Sequence, residues 1–229
     1  MVRAVFLHLP KTAGTSFRDI LCRGFGAEAV SPPFNASRLS GADAASLGAY
    51  DVVSGHISWT DVRAHFPEAR TFTILRDPID RCLSWYYFAR MNASAGHADV
   101  EAAHACDVET FFSLDPAVTF RNIFNRQVRQ LGDHVLNTEV DLDAALEQAK
   151  RTLADCVWVG RQESLDHDVA RLGTCFPELA GMAAPSLNVT AARRPLAEVG
   201  PDLIERIASY NRYDLELYRH LSARLDGAA

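Results

Sequence analysis

The sequence predicts an α/β fold in which helices flank a central parallel sheet. Two patterns point there. Short β-rich apolar runs alternate with helical stretches along the chain. No neighbouring runs are joined by a hairpin-type turn pair, so strands connect through crossovers and lie parallel. The 229 residues contain no internal repeat, low-complexity tract or dividing linker. One domain over residues 1–229 is expected at that length.

The elements follow in order. Residues 2–8 form an apolar first strand that runs into a Pro- and Gly-containing loop. Residues 15–25 read as a helix, with Phe17, Ile20, Leu21 and Phe25 on one stripe and Gly24 and Gly26 at its end. Residues 27–48, rich in Ser, Pro, Ala and Gly, read as loop with one short helix. A second strand at 50–53 leads into Ser54-Gly55-His56, and a short helix follows at 59–66. Residues 71–75 are β-rich and form a third strand. Asp77 then caps a helix, with Pro78 as its first residue, that runs to about position 89–91. Residues 92–106 read as a surface insertion, with helices after it around 107–113, 116–130 and 141–154. A fourth strand at 157–160, a helix at 163–175, a loop at 182–199 and an amphipathic helix at 201–221 complete the chain.

Composition narrows the function classes. Hydrophobic residues make up 48% and charged residues 23%, which excludes a disordered, collagenous or coiled-coil chain. The net charge of −6 argues against a nucleic-acid partner. No apolar run is long enough for a membrane span. The strand-like run directly after Met1 leaves no room for a leader, and the five cysteines contain no CxxC pair. A reducing, cytoplasmic setting is therefore expected, with no disulfide framework and no metal. His97, His104, Cys106 and Asp107 lie close in sequence, but their spacing fits no common metal site.

The chemistry concentrates in three places. The first is Pro10-Lys11-Thr12-Ala13-Gly14-Thr15-Ser16, between the first strand and the first helix. Backbone N–H groups of such a turn, with the helix N-terminus behind them, bind a phosphate or sulfate. Lys11 adds an ammonium, and Thr12, Thr15 and Ser16 add hydroxyls. Of 23 basic residues only Lys11 and Lys150 are Lys, so Lys11 stands out as a compact ammonium in an Arg-rich chain. The order departs from GxxxxGK[ST], because Lys11 precedes Gly14, and no acidic strand end supplies a magnesium ligand. The second place is Arg76, at the end of the third strand, with Ser84 eight residues on. A guanidinium with a hydroxyl suits a phosphate dianion. The third is His56, after the second strand, where a neutral imidazole suits a general base.

The runs from Phe6 to Phe17 and from Ile74 to Phe88 resemble the two donor-binding motifs of sulfotransferases that use PAPS, 3′-phosphoadenosine 5′-phosphosulfate. The likeness is greatest to the carbohydrate branch with the heparan-sulfate and uronyl 2-O-sulfotransferases, and it extends loosely over residues 2–220. It implies a P-loop-like sheet. Residues 10–16 would hold the 5′-phosphosulfate, with Lys11 stabilising the leaving oxygen. Arg76 and Ser84 would hold the 3′-phosphate, and His56 would be the base. Those enzymes can carry a second His where this chain has Ser54. Arg193 and Arg194 resemble the basic loop that covers the donor and would clamp the 3′-phosphate. The acceptor implied is a carbohydrate or other small-molecule hydroxyl. Arg81 reads as a surface or structural ion pair, His8 as mainly structural, and Arg161 and Glu163 likewise. Arg121, Asn122, Arg126, Gln127 and Arg129 form a polar helix face that either binds an anionic acceptor or is solvated. Two other functions stay open at this point: a small-molecule kinase using magnesium-ATP, and a catalytically silent nucleotide-binding protein.

Overall fold

Four short strands carry the architecture. The computed structural model describes residues 1–34, 38–92, 96–134, 138–184 and 195–227. The strands β1 (Ala4–Leu7), β2 (Val52–Gly55), β3 (Arg70–Leu75) and β4 (Trp158–Arg161) form one all-parallel sheet in the order β2-β1-β3-β4. Parallel strands need cover on both faces, and both are covered. Val5 and Leu7 join Val53, Leu75 and Val159 in one core, while Ala4 and Phe6 join Val52, Phe72, Ile74 and Trp158 in the other. The β2 edge is shielded by parallel bridges from Val30 and Phe34. Gly55 permits that approach, because a Cβ there would meet the Phe34 backbone.

The helices in chain order are α1 (Gly14–Phe25), α2 (Gly41–Leu47), α3 (Trp59–His65), α4 (Pro78–Met91), α5 (Ala98–Ala105), α6 (Val108–Phe111), α7 (Pro116–Thr119), α8 (Arg126–Leu131), α9 (Leu142–Asp155), α10 (Leu165–Val169), α11 (Leu172–Cys175), α12 (Pro201–Tyr210) and α13 (Arg212–Asp226). The α1 stripe packs as its spacing predicts: Phe17 meets Phe6 at 4.7 Å between ring centroids and stacks on Trp158 at 5.3 Å. Asp77 caps α4 through the Asp80 amide, and Pro78 is its first residue.

Four expectations need correction. Within the expected insertion at 92–106, α5 buries Val100 and Ala103 against α4, so this stretch belongs to a core. The helix expected over 116–130 is two, α7 and α8, separated by a turn in which Asn125 adopts a left-handed φ of 40°. The helix expected over 163–175 is the short α10 and α11 preceded by a 3-10 turn. The closing helix over 201–221 breaks at Asn211 into α12 and α13.

The breaks at Asn125 and Asn211 share a cause. Asn125 Oδ1 accepts from the amides of Tyr213 (3.0 Å) and Asp214 (3.1 Å), while Asn211 Oδ1 accepts from the Asn125 amide (3.2 Å). Asp214 in turn accepts from the amides of Gln127 and Val128 at the start of α8. The two helix starts cap each other, which satisfies buried N–H groups that a continuous helix would not expose.

Candidate active site

Parallel strands place all their C-terminal ends on one side, where open α/β sheets receive ligands. In the β1–β2 register Leu7 pairs with Gly55, so the next residues, His8 and His56, stand side by side. Arg76 follows β3 on the same edge.

The loop after β1 has an unusual backbone. Lys11 and Ala13 both lie in the left-handed region, at φ 67° and 62°. Such a conformation costs a non-glycine residue about 1–3 kcal/mol and clusters at ligand-binding sites. Alternation of this kind turns successive N–H groups into one concavity. Helix α1 starts directly behind it with no side-chain cap and no acidic residue in its first turn. The N–H groups of Gly14, Thr15 and Ser16 thus lack intrahelical partners, and the helix dipole favours an anion there. Pro10 and Gly14 are buried, Lys11, Ala13 and Ser16 half-buried, and Thr15 exposed. The Thr12 hydroxyl, expected to face the anion, is fully buried and donates to the Leu9 carbonyl at 2.8 Å. Its single proton therefore shapes the loop.

The two imidazoles form one unit with this loop. The rings of His8 and His56 stack with centroids 4.4 Å apart. His56 Nδ1 lies 2.7 Å from the His8 carbonyl, so in the neutral ring Nδ1 carries the proton and donates, leaving Nε2 as the basic nitrogen. Burial holds the His56 pKa below its ordinary value; the His8 carbonyl opposes that shift and the Arg126 charge adds to it. His8 is pushed down to about 3 by burial, then by His56 and Lys11, and stays neutral. Its ring rests directly on Gly14, where a Cβ would fall inside the imidazole. His8, read from sequence as mainly structural, therefore joins the base to the anion loop.

Arg76 is buried, with three of its five N–H donors bonded. Nε (2.8 Å) and Nη2 bond Asp80, one helical turn on, and Nη1 donates to the Lys11 carbonyl at 3.0 Å. The Gln127 side-chain amide holds the Arg76 backbone at both its N–H (3.1 Å) and its C=O (2.9 Å). Lys11 Nζ lies 4.0 Å above the centroid of the Phe88 ring. Phe88 and the half-buried Ser84 are one turn apart on α4, so the ammonium and the Ser84 hydroxyl share that face. The structure thus gathers Lys11, His56, Arg76 and Ser84 at one edge. Arg193 and Arg194 lie outside the described residues.

A model of the sulfotransferase family matches residues 3–220. The chain belongs to that family. Over 186 residues the chain is 27% identical to a uronyl 2-sulfotransferase homolog, pip, of Drosophila melanogaster. The match covers 69% of this chain and 35% of the fly protein, so the chain spans about a third of that relative's length. The crystal structure of a sulfotransferase from Alicyclobacillus acidocaldarius superposes with a TM-score of 0.54, covering 96% of each chain at 15% identity. That likeness supports the P-loop-like α/β fold.

Some residues of the site were not singled out in sequence. Gln127 was legible only as part of a polar helix face, and Gln130 not at all. Of the face read at Arg121, Asn122, Arg126, Gln127 and Arg129, only Arg121 is exposed; the other four are buried, as is Gln130. Arg81, read as a surface or structural ion pair, is fully buried and donates to the carbonyls of Asn122 (2.8 Å) and Ile123 (3.1 Å). Glu163 accepts from the Asp77 amide (2.8 Å) and the Tyr218 hydroxyl (2.7 Å), tying β4 to the start of α4. Arg161 pairs with Asp168 and Asp226, a structural role as expected.

Proposed function

We infer that this chain moves the sulfuryl group of PAPS to a hydroxyl of a carbohydrate or other small acceptor. One observation carries the reading. An uncapped helix start behind two left-handed loop residues stands beside an imidazole whose Nδ1 is tied off, so an anion receptor and a ready base share one edge. The donor supplies the sulfuryl group and leaves as 3′,5′-bisphosphate.

The chain's residues would act as follows. The N–H groups of residues 11–16, with the hydroxyls of Thr15 and Ser16, bind the 5′-phosphosulfate. Arg76 and Ser84, with Arg193 and Arg194, bind the 3′-phosphate. The Asp80 pair leaves part of the Arg76 fork for a ligand, since five N–H donors are available and three are bonded in the structure. His56 Nε2 takes the hydroxyl proton of the acceptor as its oxygen attacks. Lys11 stabilises the charge that develops on the bridging oxygen. Most of the rate then comes from positioning and electrostatics. A carbohydrate acceptor is supported by the fly relative's name. A cytoplasmic setting is part of the same proposal and rests on the sequence, whose five cysteines contain no CxxC pair.

Calorimetry tests the donor. The 3′,5′-bisphosphate should bind without magnesium, more weakly by about tenfold or more in Arg76→Ala, as loss of a charged hydrogen bond implies. Binding of magnesium-ATP in its place would overturn the reading in favour of a kinase.

A further inference from the structure

Arg126 opens α8 at the His56 end of the sheet and is buried. Its Nη2 donates to Gln130 Oε1 at 3.1 Å. Gln130 Nε2 donates in turn to the His8 carbonyl at 3.0 Å, the same oxygen that receives His56 Nδ1. Two hydrogen bonds thus join the guanidinium to the carbonyl that orients the base. The Arg126 charge also acts on His56 through space.

The rest of this side chain is unsatisfied. Nε and Nη1 are buried without hydrogen-bond partners among the described residues. The charges acting on Arg126 are those of Arg129, Arg81 and Arg121, against the carboxylate of Asp214. Asp214 is itself engaged by the amides of Gln127 and Val128. A buried cation with poor countercharge is strongly unfavourable, and an anionic group brought by a ligand would relieve that cost. Nε and Nη1 point to different sides of the guanidinium, and each can donate singly to an oxygen of an oxyanion.

We propose that Arg126 receives an anionic oxygen group that a ligand brings to His56, so that the site selects ligands charged at that point. The inference rests on the sulfuryl-transfer reading above. Two sources carry the chemistry: the sulfuryl oxygens of the donor, or an acid group on the acceptor near the attacked hydroxyl. Either would stand near the base and bring a countercharge to the guanidinium.

Two ligand pairs, each differing by one oxyanion group, test this in titrations of the wild-type chain, Arg126→Gln and Arg126→Lys. One pair is PAPS against the 3′,5′-bisphosphate. The other is p-nitrophenyl glucuronide against p-nitrophenyl glucoside, with the bisphosphate present. The expected result is a tenfold or greater preference for the member of one pair that carries the additional oxyanion group, the sulfuryl of PAPS or the carboxylate of the glucuronide. That preference is lost in Arg126→Gln and largely kept in Arg126→Lys, at thermal midpoints showing both variants folded. The pair that responds identifies the source. No preference in either pair, or a preference that survives in Arg126→Gln, overturns the proposal. Should wild type bind neither PAPS nor the bisphosphate, the donor reading fails first, and the loss of its ligand takes this inference with it.

Discussion

At the strand ends Lys11 reaches across to α4, on a loop of strained backbone beside an open helix start. Behind them, Arg81 and Arg129 are equally cationic but spend their guanidinium groups on backbone carbonyls: those of Asn122 and Ile123 for Arg81, and of Phe120 and Phe124 for Arg129. The first region keeps donors for a ligand at a cost in conformational strain. The second uses donors to finish irregular turns around α7 and α8. Basic residues alone therefore say little about an anion site; the backbone around them decides.

Paired substitutions sharpen that contrast most. Lys11→Ala should lower turnover by at least about 100-fold, the scale of a lost transition-state charge interaction, with the thermal midpoint nearly unchanged. Arg81→Leu should do the reverse. It leaves two buried carbonyls without donors, a loss of about 2–3 kcal/mol and roughly 5–10 °C in thermal midpoint, with turnover per folded molecule close to wild type. A stable Arg81→Leu protein without activity would erase the distinction between the regions.

A smaller effect concerns pH. His56 is held below its ordinary value, first by burial, so its neutral form persists into mildly acidic solution. The acid limb of kcat/KM should therefore fall at a midpoint below about 6.5, the unperturbed imidazole value. A midpoint above that value would mean that a carboxylate, not Arg126, governs the base. Stability follows the same sign at His8. Its folded pKa of about 3 lies below the unfolded value, so protonation favours the unfolded chain as pH falls from 6.5 towards 3.

The contrast also explains what was legible in sequence. The α/β class, the four strands to within two residues and α1 and α4 were readable, because periodicity and caps are local signals. The placement of Lys11, Arg76 and His56 at one edge was readable because parallel strand ends bring short contiguous motifs together. The Asn125 and Asn211 breaks were not, since each asparagine caps the other's helix across 86 positions. The role of His8 was hidden for a similar reason: it comes from the register with β2 and the absence of a Cβ at Gly14. Thr12 shows the opposite error, in which a polar residue inside a motif was given to the ligand although the loop consumes its proton.

The proposed chemistry turns on His56, held in one tautomer beside the anion loop, as the base for sulfuryl transfer. Transfer of labelled sulfate from PAPS, followed across a panel of sugar and small-molecule hydroxyls, tests it most directly. Labelled acceptor is expected with the wild-type chain, and a loss of at least about 100-fold in His56→Ala, in line with a removed general base. Full transfer by His56→Ala would contradict it.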